Sequence, residues 1–256
     1  MALLRCDFFS EVLEMGTSMT VLLPQSGENQ IGVSTTSAGS EGGGFPVLYL
    51  LHGLSDDATA WQRYTSIERY AAELGLAVVM PAVHRSFYAD EVHGARYWTF
   101  LSEELPSVVH SFFRVSERRA DTFVAGLSMG GYGALKWCLR QPHRFAAAAS
   151  LSGALDLHGL QEAEGREELF GRVFGGAVGP DDDLFALLAD AESAALPAVY
   201  VGCGTEDELY AGNQRFVEAA VADGVDVHVD FRPGRHEWGL WDATIRDVLA
   251  WLPLAR

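Results

Sequence analysis

The stretch Asp121-Thr122-Phe123-Val124-Ala125-Gly126-Leu127-Ser128-Met129-Gly130-Gly131-Tyr132-Gly133-Ala134 decides how this chain of 256 residues is read. Residues 121–125 are rich in β-branched and aromatic side chains and predict a buried strand; the residues from Gly130 to about 140 predict a helix. Between them lies G-x-S-x-G at 126–130, which compresses the passage from strand to helix into a few residues. So tight a turn places Ser128 in a strained backbone conformation at the carboxyl end of a sheet strand, and flanking glycines let neighbouring backbone come close. The helix that follows directs its first N–H groups at the same point, where they favour negative charge. An incidental serine in a glycine-rich turn is the plain alternative, and the strand before it and the helix after it argue against that alternative.

Outward from this unit the same alternation continues. Strands are predicted at 46–51 (PVLYLL), 76–80, 145–151, 197–203 and 226–232, with helices over about 60–74, 97–113, 209–223 and 239–252. Strands alternating with helices predict an α/β fold, with a mostly parallel central sheet and helices on both faces. Two pairing strands at 3–9 and 17–24, separated by a turn at Gly16, are expected to start the sheet. From Pro24 to Pro46 the composition turns to Ser, Gly, Thr and Asn, as in a surface loop, part of it expected to lack fixed structure. Residues 154–196 break the alternation with a helical, acidic segment, read as an insertion over one end of the sheet. With no internal repeat and no Pro- or Ser-rich linker, residues 1–256 are expected to form a single domain carrying that insertion at about 154–196.

Composition limits the function classes. The chain has 35 acidic and 18 basic side chains, a formal net charge of −17, so neither nucleic acid nor an anionic membrane surface is an expected partner. No apolar segment approaches the roughly 18 residues of a membrane helix, and no signal-peptide pattern opens the sequence. The three cysteines, Cys6, Cys138 and Cys203, are odd in number and far apart, which speaks against a disulfide framework or a structural zinc and for a reduced, cytoplasmic protein. The oligomeric state is left open, a homo-oligomer included. Lys136 is the only lysine and stands in no phosphate loop; His236-Glu237 starts an HExxH zinc motif that Leu240 ends; the Gly131-Tyr132-Gly133 run fails as a dinucleotide motif at Lys136. No metal and no cofactor are expected.

A serine hydroxyl becomes a nucleophile only when a base removes its proton, and on this topology an acid and then a histidine should follow it in sequence. Of the histidines after Ser128, His143 lies too close to the following helix, His158 precedes any suitable acid, and His228 falls inside a strand. His236, in a loop after the last strand, remains as the base. The acid should leave the preceding strand, where Glu206 and Asp207 both qualify; the shorter Asp207 side chain would hold an imidazole with less freedom. His52-Gly53 after the strand 46–51 marks a turn able to aim the Leu54 N–H at an oxyanion, paired with the Met129 N–H.

These blocks resemble the α/β-hydrolase esterases related to tributyrin esterase, feruloyl esterase and S-formylglutathione hydrolase. The resemblance runs from Met19 to Trp241 and rests on HGLSDD at 52–57, WQRYTSIERY at 61–70, RSFYAD at 85–90, YWTFLSEELP at 97–106, GLSMGGYGALK at 126–136, GTEDELY at 204–210 and HEWGLWD at 236–242. It implies an α/β-hydrolase fold and a serine carboxylesterase acting on short-chain acyl esters, with Ser128, Asp207 and His236 as the catalytic triad and the Leu54 and Met129 N–H groups as oxyanion donors. It also implies that Trp61, Tyr88 and Trp238 lie near the substrate cleft, while Trp98 and Trp241 read better as core. Within the same chemistry the alternatives are a thioesterase of the S-formylglutathione hydrolase type and a feruloyl esterase. A non-catalytic carbohydrate-binding relative is the alternative from another class, and the three residue types present in order speak against it. Glu208, where relatives commonly have an apolar or aromatic residue, and Ala89 and Glu91 in the 85–91 block depart from the family pattern near the expected cleft.

The charge is unevenly distributed. Residues 154–196 hold ten acids against Arg166 and Arg172, while Arg85, Arg232 and Arg235 lie in segments expected near the cleft. An acidic cover of this kind predicts that neutral esters are hydrolysed faster than carboxylate-bearing ones, with a difference that shrinks as salt rises.

Overall fold

The computed structural model describes residues 1–25 and 43–254. The loop predicted without fixed structure between Pro24 and Pro46 falls largely outside the described residues.

Eight strands form one sheet: β1 (Ala2–Ser10), β2 (Met15–Leu23), β3 (Val47–Leu51), β4 (Ala77–Pro81), β5 (Thr122–Leu127), β6 (Ala147–Leu151), β7 (Ala198–Gly204) and β8 (Val227–Arg232). Their order is β1-β2-β4-β3-β5-β6-β7-β8. β1 pairs antiparallel with β2 and β2 antiparallel with β4, while every pair from β4 to β8 is parallel. The mostly parallel sheet predicted from sequence is therefore present, with an antiparallel hairpin on one edge. The hairpin turn lies at residues 11–14, where Glu14 takes φ 56°, and Gly16 is already inside β2. The glycine expected at the turn is thus a strand residue.

β3 shows why its sequence is a continuous apolar run. Val47, Tyr49 and Leu51 face one core while Leu48 and Leu50 face the other, so alternate side chains are buried on opposite sides of the sheet. The first core takes α5 (Met129–Arg140), α9 (Tyr210–Ala222) and the long helical segment made of α3 (Tyr97–Thr99), a π-helical turn (Phe100–Glu104) and α4 (Leu105–Phe112). The second takes α1 (Ala60–Tyr64), α2 (Ile67–Leu74) and α10 (Trp238–Trp251).

Two predicted helices differ from expectation. The helix predicted over 60–74 is divided at Thr65-Ser66, because the Thr65 hydroxyl turns back to donate to the Trp61 carbonyl at 2.5 Å and the Ser66 N–H is taken by Asp242 Oδ1 at 2.8 Å. The helix predicted over 97–113 widens at Phe100–Glu104, just before Pro106, which has no N–H to give to the Ser102 carbonyl.

The 154–196 segment is helical as expected: α6 (Leu157–Gln161), α7 (Glu167–Phe174) and α8 (Leu184–Asp190). Several of its acids are explained by these short helices. Asp156 and Asp183 accept hydrogen bonds from the Gly159 and Phe185 N–H groups as N-caps, and Glu167 and Glu168 occupy the first turn of α7. Among the described residues no helix is long and apolar enough to cross a membrane.

Candidate active site

β5 ends and α5 begins at Ser128, whose φ of 53° and ψ of −120° lie in a region costly for a residue with a Cβ. Surrounding backbone imposes this shape: the Ser128 N–H donates to the Leu151 carbonyl at 2.9 Å, and its own carbonyl accepts from Ala154 N at 3.0 Å and Tyr132 N at 3.1 Å. The two outer residues of G-x-S-x-G must be glycine for steric reasons. A Cβ on Gly126 would sit 2.3 Å from the Gly130 carbonyl oxygen, and one on Gly130 would sit 2.3 Å from that of Leu51.

His236 Nε2 lies 3.1 Å from Ser128 Oγ, and His236 Nδ1 lies 2.9 Å from Asp207 Oδ2. An ionised carboxylate can only accept, so Nδ1 carries the hydrogen and Nε2 is left to accept from the serine hydroxyl. The Asp207 side chain is fully buried. Burial acts to raise its pKa, but the hydrogen bonds from His236 and from the Leu209 N–H prevail and hold the carboxyl below the usual carboxylate range. Glu206, the other acid considered from sequence, is half exposed and faces Arg235 at 3.5 Å. Trp241 stands edge-on to the His236 ring at 4.8 Å between centroids and limits its swing.

Ser128 opens into a cavity of about 480 Å³, within the range of small-molecule sites. Gly53, Leu54 and Met129 form its wall on one side, and the Leu54 and Met129 N–H groups donate to no protein acceptor among the described residues. The His52-Gly53 turn that presents Leu54 is fixed from behind. Buried His52 donates from Nδ1 to the Gly53 carbonyl at 2.7 Å and accepts at Nε2 from the Val83 N–H at 3.1 Å. Burial pushes its pKa down to about 4, so the ring is neutral at pH 7.

Of the three aromatics expected at the cleft, only Trp238 lines this cavity. Trp61 is buried with its indole N–H donating to the Leu51 carbonyl at 2.9 Å and its ring edge-on to Trp238. Tyr88 is equally buried, and its hydroxyl donates to the His52 carbonyl at 2.9 Å. Both side chains brace the strand end and turn that carry Leu54; neither lines the cavity. Trp98 is core as expected, beneath Arg140 and Lys136, whereas Trp241, also expected as core, reaches the cavity wall while remaining almost wholly buried.

Phe87, from the 85–90 block expected near the cleft, also lines it, whereas other lining residues had no distinguishing sequence signal, among them Leu160, Arg166 and Phe170. None of the ten acids of the insertion lines this cavity or the one beside it, but Arg166 and Arg172, its two basic residues, do. The acids are spent elsewhere: Asp156 pairs with Arg215, Asp182 with the buried Lys136, and Asp183 faces His158 at 3.4 Å. Arg232 and Arg235, expected near the cleft, are paired with Asp230 and Asp247 and with Glu206 respectively. The acidic cover proposed from composition is therefore acidic on its outer side, and the charges at the cleft come from other residues.

Comparison with known proteins agrees with this architecture. The chain is 29% identical over 265 residues to an acetyl esterase from Caldicellulosiruptor saccharolyticus, covering 98% of each. Its structure is similar to that of FphF, a fluorophosphonate-binding serine hydrolase of Staphylococcus aureus solved with substrate bound, at TM-score 0.87 and 33% identity over 98% of both chains. An S-formylglutathione hydrolase (FrmB) from Staphylococcus aureus, solved as the apoenzyme, gives TM-score 0.85 and 33% identity with the same coverage. Residues 15–252 match the Esterase family, described as "Putative esterase"; the chain belongs to this family of α/β-hydrolase fold and is an enzyme, a carboxylic ester hydrolase.

Proposed function

We propose that the chain is a serine carboxylesterase that hydrolyses short-chain acyl esters through an acyl-enzyme, with Ser128, His236 and Asp207 as its triad. The observation that carries this reading is the connected pair of contacts, Ser128 Oγ to His236 Nε2 at 3.1 Å and His236 Nδ1 to Asp207 Oδ2 at 2.9 Å, at the floor of an open cavity. Ser128 Oγ attacks the ester carbonyl carbon as its proton passes to His236 Nε2. The resulting oxyanion is met by the Leu54 and Met129 N–H groups, and Asp207 stabilises the imidazolium. When the carbon–alkoxy oxygen bond breaks, His236 returns the proton to the departing alcohol. Water then enters, gives a proton to His236 and attacks the acyl carbon, and collapse of that second adduct releases the carboxylic acid and restores Ser128.

The name of the acetyl esterase relative supports a small acyl group. A thioester substrate is the second reading, supported by the relative named S-formylglutathione hydrolase; thioester and oxygen ester would use the same residues. The remaining parts of the proposal are a single domain over 1–256 whose insertion covers the cleft, a small-molecule ester as partner, and work in a reducing cytoplasm, in keeping with three unpaired cysteines.

The test is Ser128→Ala on 4-nitrophenyl acetate, with a loss of turnover expected on the order of 10⁴ or more. Retention of a tenth of wild-type activity would exclude Ser128 as nucleophile. A fluorophosphonate should form an adduct on Ser128 of the wild type and none on the variant, whereas a non-catalytic binding protein would form none on either.

A further inference from the structure

We infer that a second cavity beside the one at Ser128 binds an anionic group carried by the acyl arm of the ester, with Arg85 as the residue that selects it. This rests on Ser128 being the nucleophile. The second cavity, of about 460 Å³, shares Leu54, Ser55 and Asp56 with the first and is lined otherwise by His84, Arg85, Glu91, Tyr97 and Arg172.

The charged groups there are not equally available. Arg172 is paired with Glu91, whose side chain is buried, and also donates from Nη2 to the Arg85 carbonyl at 2.9 Å. Asp56 accepts from the Gly53 N–H at 3.2 Å, and burial raises its carboxyl above the usual range. The Arg85 guanidinium has no partner among the described residues. Burial pushes the Tyr97 phenol up to about 12, so it stays protonated and can donate. The two carboxylates of this cavity, Asp56 and Glu91, are thus engaged by the Gly53 N–H and by Arg172, and Arg85 is left as its unpartnered charge, although the whole chain carries −17.

The backbone here is also unusual: His84, Phe87 and Tyr88 have φ of 51°, 49° and 51°. Three left-handed residues within five are costly, and such a loop persists where its shape serves a site. Here it sets His84 and Arg85 on the cavity wall while Phe87 reaches the first cavity and Tyr88 braces the His52 turn.

The position of His236 decides which arm reaches the second cavity. His236 must return its proton to the alcohol oxygen, so the leaving group lies along His236 and Trp238 in the first cavity. The acyl arm departs from the carbonyl on the other side, past Leu54 and Asp56.

Two esters with the same leaving group and a six-carbon acyl chain test this: 4-nitrophenyl hydrogen adipate, ending in a carboxylate, and 4-nitrophenyl hexanoate. Wild-type kcat/KM on the adipate should equal or exceed that on the hexanoate, with a ratio that falls as salt rises. Arg85→Glu should lower the adipate-to-hexanoate ratio by about tenfold or more, and Arg85→Gln by less in the same direction. Arg5→Glu, the same charge change on the exposed face of β1, should leave the ratio unchanged. A ratio that Arg85→Glu leaves unaltered, or that Arg5→Glu lowers equally, overturns the inference. Fluorophosphonate labelling of Ser128 in the same variants reports separately on the nucleophile, so failure of the anion site and failure of the triad are distinguishable.

Discussion

Behind Ser128 the space is filled by backbone: the Gly126 and Gly130 main chains press on each other and on Leu51, and the Ser128 N–H and carbonyl are bonded to the Leu151 carbonyl and to the Ala154 and Tyr132 N–H groups. Across the cavity, the 154–196 segment is held mainly by side chains, with Phe170 and Phe174 against Phe87, and the Lys136–Asp182 and Arg172–Glu91 pairs at its rim. Backbone contacts have no rotamers to relax, so the first region keeps a position to fractions of an ångström. Side-chain contacts can be exchanged for others, so the second can change which ester it admits while the reacting atoms stay fixed. Perturbations of the two regions should therefore differ in kind as well as in size.

After Ser128→Ala, the largest expected effect falls on Asp207, the proposed orienting acid. Asp207→Asn should keep the fold but present an amide to His236 Nδ1, favouring the wrong tautomer and lowering kcat by about 10³ to 10⁴ with little change in KM. A fall of less than tenfold, measured on 4-nitrophenyl acetate, would place the acid elsewhere, with Glu206 the next candidate. Gly130→Ala comes second. Its Cβ would enter the Leu51 carbonyl, and the parallel β3–β5 pairing has no room to yield, so a loss of at least about 3 kcal/mol in urea-unfolding stability is expected. An unchanged midpoint would mean that the elbow, the turn at Ser128 between β5 and α5, is looser than its contacts imply.

The turn carrying Leu54 gives the third prediction, through pH. His52 has a folded pKa near 4 against an ordinary value of 6.5, so the unfolded chain binds the extra proton first. Stability is full above pH 6.5 and should fall by about 3 kcal/mol as pH drops to 4, with no further loss from this residue below that. Asp207, whose carboxyl is depressed, adds its own loss only below the ordinary carboxylate value of 3.8. Urea denaturation at pH 7 and at pH 4.5 therefore reads the His52 loss before Asp207 adds to it, and a flat profile between them would mean that His52 takes its proton without unfolding.

The smallest effect belongs to the cover. Lys136→Met removes a fully buried ammonium from Asp182, whose side chain is a quarter exposed. The expected cost is about 2 kcal/mol, below that of a wholly buried pair because Asp182 can recover some water. The variant should raise KM more than it lowers kcat, and limited proteolysis should cut within 154–196 sooner than in the wild type. Equal losses in kcat and kcat/KM would instead tie Lys136 to the elbow.

The same contrast governs what could be read from sequence. The elbow was legible because steric necessity is written in residue type: only glycine satisfies the contacts at 126 and 130, and the order of serine, acid and histidine follows from strand ends. Sequence could not place Trp61 and Tyr88 beside the cavity or behind its wall, because an aromatic ring in either position has the same composition. Their hydrogen bonds to the Leu51 and His52 carbonyls exist only once the turn is folded. The acids of 154–196 misled for a related reason. A residue count gives charge without direction, and helix caps and ion pairs turn these acids away while the two arginines face inward. The widening at Phe100–Glu104 had one visible cause, Pro106, whose consequence for helix geometry is not carried by periodicity.

Lys136 has one more consequence. It is the sole lysine of the chain and its side chain is fully buried on α5, so no lysine amine is offered to acylating reagents or to a lysine-specific protease while the fold is intact. Cleavage after residue 136 thus reports opening of the core itself, at a rate set by the population of that open state. The single cut would leave Ser128 on one fragment and Asp207 and His236 on the other.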